Sequence, residues 1–275
     1  RINLQHYLWN DGLGYILHPS IPTDTEDLVI ADIGSGTAIW LIEMSRRLRP
    51  SAVLHGLDVS HDQSPPAHML PSNVSLRIHD CLTVPTEDIL GSYDIVHIQN
   101  FNSVVRNNDP VPVIQHVLKM LSKYSDIHLP RFSVNLTNKK LTLEPGGYLT
   151  WGEYDFQTWR SKTLPSAMDY DDELRKLLIH NATQDSWTAK LPQTYLACGL
   201  TNIVVERVPF LPEVTTFLLD TFMVASHELS VKILDRLGEG RGDMSRSYIE
   251  TIGKNRRNLE VALDRLTVIG QKPRR

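Results

Sequence analysis

Apolar residues early in the chain fall into short runs that each end in an acid. Leu28-Val-Ile-Ala runs into Asp32, Gly34 and Gly36 follow at alternate positions, and Ile39-Trp-Leu-Ile then restarts with helical spacing. A continuous apolar run of this length, closed by glycines, predicts a buried strand turning sharply into a helix. The two glycines let the backbone approach a ligand closely. A second run, Val53-Leu-His-Gly-Leu57, ends in Asp58. An acid at the tip of the second strand of such a unit is placed to take both hydroxyls of a ribose. Strand and helix signals go on alternating to about residue 121, as a parallel, doubly wound sheet requires.

Asp32 stands two residues before the first glycine, and Ile39 occupies the place where a dinucleotide fingerprint needs its third. That acid would repel a pyrophosphate on the helix N-terminus but suits an ammonium group. Further segments follow in order: Asn73 to Cys81, Tyr93 to Phe101, and Glu144-Pro-Gly-Gly-Tyr-Leu-Thr-Trp-Gly-Glu153. With motif I at Asp32 to Ala38, this succession resembles the class I S-adenosylmethionine (SAM) methyltransferases. The flanks narrow the resemblance. Leu4 to Trp9, Gly14 to Pro22, His97 to Phe101 and Trp151 to Asp155 resemble fungal small-molecule methyltransferases of secondary metabolism.

The resemblance implies an α/β fold: a Rossmann-like seven-stranded sheet, mostly parallel with an antiparallel final strand, plus N-terminal helices and a helical lid insertion. A single domain over 1–275 is expected. Residues 1–22 would form cap helices, 23–160 the SAM-binding core, and 161–275 lid helices and C-terminal strands. Residues 166–191 and 213–237 have helical patterns, Cys198 to Val208 reads as the sixth strand, and Leu266 to Gly270 as the seventh. Trp151 to Pro165 is expected to leave the fifth strand.

S-adenosyl-L-methionine is the cofactor the resemblance implies. Its binding residues are expected to be Asp32, Gly34, Ser35, Gly36, Asp58, Val59, Asp80, Cys81, Gln99 and Asn100, with Asp62 as a substitute for Asp58. Trp9, Phe101, Trp151, Phe222 and Met223 offer the flat apolar surface that an aromatic or heterocyclic acceptor needs. Methyl transfer is an in-line displacement, so the protein chiefly aligns the nucleophile and excludes water. A base is required only for an acceptor that arrives protonated, such as a hydroxyl. Candidates are His6, Tyr7, Glu153, Tyr154 and Asp155; His97, central in its strand, reads as an interior histidine.

The reaction expected is methylation of an O, N or S atom of a small-molecule acceptor. A methyltransferase-like partner protein, or an enzyme using bound SAM for a pericyclic rearrangement, would carry the same motifs. A net charge of −4 gives no electrostatic reason to expect nucleic acid as a partner. His55, His61, His68 and His79 lack the short repeated spacing of a zinc site, so no metal is expected. Two cysteines cannot make a disulfide framework, and no apolar run reaches the roughly 18 residues of a membrane span. A cytoplasmic location is expected, and the sequons at Asn73, Asn135 and Asn181 read as chance matches.

Two features break the pattern. The chain opens at Arg1 in a helix already under way, as a truncated N-terminus would. Residues 122–143 separate a helix end from Pro145-Gly146-Gly147, where loops of about 2–6 residues are usual. If Ser122-Lys123 is encoded AGTAAG, the message holds GTAAGT, which resembles a splice donor. Joining across to Glu144 restores Lys-Met-Leu-Lys-Pro-Gly-Gly-Tyr. The segment is therefore read either as a translated intron or as a genuine surface insertion.

Overall fold

The computed structural model describes residues 1–122, 146–163, 186–238 and 240–273. The segment read as an intron or an insertion lies outside the described residues apart from Ser122, as do residues 166–185 of the first lid pattern and the sequons at Asn135 and Asn181.

The sheet has seven strands in the order β3-β2-β1-β4-β5-β7-β6. The strands are β1 (Val29–Ile33), β2 (Val53–Asp58), β3 (Val74–Ile78), β4 (Ile95–Gln99), β5 (Tyr148–Thr163), β6 (Thr201–Pro209) and β7 (Leu259–Gln271). The pairs from β3 to β5 are parallel, while β7 runs antiparallel to both β5 and β6. The chain therefore has the Rossmann-like α/β sheet of the methyltransferases. Strand order reverses between β1 and β4, and ligands of open α/β sheets bind outside the carboxyl ends at such a point.

Successive side chains of a strand point to opposite faces, and the core divides accordingly. Ala31, Ile33, Val96, Ile98, Leu149 and Trp151 pack with α3 (Val111–Met120) and α4 (Trp187–Ala197). Ile30, Leu54 and Ile95 face α2 (Ile39–Ser45), which contributes Trp40, Leu41 and Met44. Gly56 keeps α2 close: a Cβ there would meet Ser35 Oγ at 2.7 Å and Leu41 at 2.9 Å.

The expected helix–strand alternation holds only in part. Among the described residues, only 3₁₀ turns (Ala67–Met69 and Glu87–Ile89) lie between β2 and β3 and between β3 and β4. Both stretches carry turn and cap residues (Ser64-Pro-Pro and Pro85-Thr-Glu-Asp) without a sustained apolar stripe. Nor does the chain leave β5 at Trp151, because the strand runs on to Thr163. Its register against β7 slips between Asp155 and Arg160. Thr158 holds this bulge, its hydroxyl donating to the Asp155 carbonyl and accepting from the Asp264 N–H, each at 2.8 Å. The final strand starts at Leu259, well before the expected Leu266.

At the N-terminus α1 (Ile2–Asn10) is followed by turns, and α5 (Pro212–Leu229) continues through a π-helical turn to Leu237; α6 covers Arg241–Asn255. A third apolar cluster joins α1, the end of β5, α5 and β7, through Trp9, Tyr154, Phe156, Trp159, Phe210, Phe222 and Leu263. None of the described helices is long and apolar enough to cross a membrane.

Candidate functional site

The glycine turn after β1 is built as its sequence requires. Gly34 has φ +69° and Gly36 φ +51°, in the region that glycine occupies without strain. The Gly36 N–H donates to Asp58 Oδ2 at 2.8 Å, and the Ser60 N–H to Asp58 Oδ1 at 3.3 Å. The second-strand acid is thus drawn to the glycine turn, the juxtaposition a ribose site needs. Ser35 is buried between Gly56 and the turn, whereas Val59 is 66% exposed. Beyond β3, Asp80 Oδ1 accepts the Leu82 N–H at 2.9 Å, and burial pushes the neighbouring Cys81 thiol up to about 11, leaving it an unreactive thiol.

Asp32 is buried beside His97, its parallel partner in β4. His97 Nδ1 donates to Asp32 Oδ1 at 2.7 Å, and its ring stacks on Trp40 at 4.0 Å with 5° between planes. An interior carboxylate needs such a partner. Asp32 Oδ1 is therefore engaged from within the sheet. His97 was read from sequence as an interior residue; Trp40 carried no signal that it would stack there.

The loop after β4 is held by Glu153. Its Oε1 accepts from the Phe101 N–H at 2.6 Å and the Trp151 indole at 2.7 Å, and its Oε2 from the Asn102 amide at 2.8 Å. Complete burial pushes its carboxyl up to about 8, against the downward pull of these donors. Both oxygens are occupied, so Glu153 positions the loop. Phe101 lies against Gly34: a Cβ on that glycine would meet its ring at 2.5 Å. Asn100 stands at φ +60°, its N–H donating to the Gly152 carbonyl at 2.9 Å, while its side chain is hydrogen-bonded with Tyr154. Gln99 packs its Cγ near Gly152.

Helix α1 covers the glycine turn. Ile2 approaches Gly36 at 3.7 Å, and Thr37 Oγ1 donates to Asn3 Oδ1 at 2.6 Å. His6 Nε2 lies 3.1 Å from both Glu43 Oε2 and Asn10 Nδ2, and burial lowers its pKa. Tyr7, by contrast, is half exposed. Trp9 packs on Gly152, meets Tyr154 edge-on at 5.3 Å and approaches Phe210 at 6.0 Å. Tyr154 also touches Phe222 at 5.0 Å, and Met223 lies at the border of this cluster. Trp151 stands apart from it, packed against Trp187 at 5.1 Å on the other face of the sheet.

Sequence reasoning missed Arg265. Fully buried on β7, it lies 4.5 Å over the Phe210 ring and donates to the carbonyls of Trp9, Asp11, Val208 and Pro209. It therefore ties the end of α1 to the end of β6. Phe156 and Trp159 escaped notice because only the bulge in β5 brings both to the cluster. Nothing in the local pattern announces such a bulge. Among the described residues no cluster of His, Cys, Asp or Glu could hold a metal ion.

Comparison with known proteins bears on this geometry. No family model matches the chain. Over 178 residues it is 27% identical to methyltransferase grgD of a Penicillium species, covering 61% of this chain and 52% of the relative. Over 98 residues it is 33% identical to N-methyltransferase tcpN of Claviceps purpurea, covering 35% of each. The matched segments thus span about half or less of these curated relatives. Among solved structures, phosphoethanolamine N-methyltransferase 2 of Haemonchus contortus, in complex with phosphomonomethylethanolamine and S-adenosylhomocysteine, aligns with a TM-score of 0.52 at 12% identity. That match covers 99% of this chain and 57% of the other. YcgJ of Bacillus subtilis aligns with a TM-score of 0.51 at 12% identity, covering 91% and 94%. The two solved neighbours share this fold.

Proposed function

We propose, from the premise that this chain has the class I methyltransferase fold, that it binds SAM and methylates a small-molecule acceptor. The observation that carries this is the convergence of the Gly34–Gly36 turn, Asp58 and the Asn100 loop at the carboxyl ends of β1, β2 and β4. The residues fit the cofactor. Asp58 would exchange its hydrogen bond from Gly36 for the ribose hydroxyls, with Val59, Asp80 and Cys81 along the adenine. Gly34, Ser35 and Gly36 would admit the methionine portion, with Asp32 nearby for its ammonium and Gln99 and Asn100 at the methyl end. The Asn100 side chain is buried beside the Tyr154 hydroxyl, at the carboxyl end of β4.

When bound, SAM supplies a methyl group on a positively charged sulfur. The protein's part is to orient and to keep water out. Helix α1 does both, lying across the turn through Ile2 and Asn3 while Trp9 walls the acceptor side. Trp9, Tyr154 and Phe222 are the acceptor wall in this reading, with Met223 at its rim; Phe101 lies against the glycine turn, and Trp151, on the other face of the sheet, takes no part. Sequence kinship to a fungal methyltransferase and a fungal N-methyltransferase supports methyl transfer.

Calorimetric titration of SAM, with NADH as control, tests the cofactor. Saturable SAM binding with no response to NADH is expected, and the reverse would overturn the proposal. Turnover is read as S-adenosylhomocysteine release. A partner protein of this fold would bind SAM and release none with any acceptor. An enzyme using SAM for another reaction would convert its substrate without that product.

A further inference from the structure

Asp32 and His97 form a polar pair that the sheet does not need for its own stability. They face each other across β1 and β4, where the same two strands pair Ile30 with Ile95 two residues earlier. Asp32 is 4% exposed and His97 6%. A buried acid with its partner adds little net stability, and apolar residues of similar volume often serve the fold as well or better. Ile30 and Ile95 show that choice made one pair away, in the cluster that packs on α2. A carboxylate kept at this depth, two residues before Gly34, marks a place that receives a positive charge.

His97 is fixed on two sides. Its Nδ1 donates to Asp32 Oδ1 at 2.7 Å, and its ring lies flat on the Trp40 indole, 4.0 Å away and 5° from parallel. Trp40 is pinned in turn, its Nε1 donating to the Ile16 carbonyl at 3.3 Å. It stands in the first turn of α2, the helix that opens from the glycine turn. That helix therefore sets the plane of the imidazole and the direction of its bond to Asp32. A carboxylate turns easily about its last torsion, so a fixed donor on one oxygen decides where the other lies. The bond engages Oδ1 and leaves Oδ2 for an incoming cation. Glu43, three residues after Trp40, is already engaged by His6 of α1 at 3.1 Å. His6 feels the charge of both Asp32 and His97, so the two acid–histidine pairs are neighbours. Of the two acids, Asp32 is the one on the strand that ends in the glycine turn.

We infer that His97 is a positioning residue for the cofactor's amino group: it holds Asp32 Oδ1 so that Oδ2 takes the α-ammonium, and it thereby selects a cofactor that carries one. This rests on the SAM binding proposed above. Without the Nδ1–H donor the buried carboxylate loses both its partner and its fixed rotation. Each loss weakens the bond to the ammonium, because a charged pair of this kind depends on its geometry. Trp40 braces the ring, so the selection is built from β1, β4 and α2 together.

The test compares two thioethers in calorimetry: S-adenosylhomocysteine, and its analogue with the α-amino group replaced by hydrogen. The wild type should prefer the amino compound by at least about tenfold, as a hydrogen bond between charged groups gives. His97→Leu should cut that preference by at least about fivefold, while binding the deamino analogue as the wild type does. His97→Asn, whose side-chain amide can donate from the place of Nδ1, should keep the preference within about twofold. An undiminished preference in His97→Leu, or equal weakening of both probes, overturns the inference and leaves His97 a core residue. NMR of wild-type protein labelled with nitrogen-15 histidine supplies an arm that does not depend on the leucine variant folding. The His97 signal, identified by its loss in His97→Asn, should move with S-adenosylhomocysteine and stay in place with the deamino analogue. Equal movement with both probes, or equal affinity of the wild type for both, overturns the inference. A wild type that binds neither probe overturns the SAM reading itself, a failure distinct from a lost preference.

Discussion

Gly34 carries two constraints at once. Its φ of +69° suits glycine, and Phe101 stands where a Cβ would go, 2.5 Å from that position. Gly34→Ala must therefore distort the turn, displace the Phe101 ring or both, at a cost of about 1–3 kcal/mol. Because Phe101 is anchored through its N–H to Glu153, the strain should reach the Asn100 loop. We expect Gly34→Ala to unfold at lower urea with an unchanged m-value, and to weaken SAM binding by more than tenfold in calorimetry. Tight binding by a destabilised variant would confine the glycine's role to packing. At this scale the sequence was informative wherever a residue's neighbours lie along the chain. Gly34, Gly36 and Asp58 belong to one strand–turn–helix–strand unit, and the structure brings Asp58 to the turn. Arg265 and Trp40 gave no such signal, because their partners lie on elements distant in the chain.

Elements were legible where apolar runs are short and bounded, as for β1, β2 and β4. They were misjudged where one strand outlasts its pattern. β5 continues past Gly152 because Asp155, Thr158 and Asp264 stabilise a bulge against β7, and polar residues inside a strand look like its end. The boundary before β5 makes a sharper case. The Ser122 carbonyl accepts the Gly147 N–H at 3.2 Å, so the two ends of the interrupting segment meet. If Lys replaces residues 122–144, Pro145 and Gly146 become the central pair of a four-residue turn closed by this same bond. Proline first and glycine second is the preference of a type II turn. Gly147 already fits: a Cβ there would strike the carbonyls of Tyr93 and Asp94 below 3.0 Å. The shortened chain is expected to fold with unchanged or higher Tm, gaining up to about 2 kcal/mol from the smaller loop, and to keep its SAM affinity. An insoluble or less stable product would show that the segment belongs to the fold.

The whole molecule has a pH response built into the face opposite the ligand turn's helix. His55 of β2 lies between Tyr93 Oη, 3.1 Å from its Nδ1, and Arg77 Nη2, 3.4 Å from its Nε2. The neutral tautomer satisfies both neighbours: Nδ1–H donates to the tyrosine and Nε2 accepts from the guanidinium. Protonating Nε2 would set two cations together. Burial first, then Arg77, depresses its pKa from 6.5 to about 4. Between those values the unfolded chain binds a proton that the folded chain refuses, so stability rises with pH there. His55 therefore favours the fold fully above pH 6.5, and the benefit is lost progressively as pH falls toward 4. Its partly exposed ring keeps the effect below what the full shift would imply. Glu153 acts in the opposite sense. Its carboxyl is raised to about 8, so its contribution declines as pH climbs from 4.5 through 8. Between pH 4.5 and 6.5 the two slopes oppose each other, so stability stays nearly level there, and above 6.5 only the Glu153 decline remains. Urea titrations of the wild type and His55→Gln from pH 4 to 8 separate the two. Without the His55 rise, the variant should lose stability steadily as pH climbs from 4.5 to 8, whereas the wild type should stay nearly level up to 6.5. A variant profile parallel to the wild type's between pH 4.5 and 6.5 would mean that other groups govern that range and that His55 is only a packing residue.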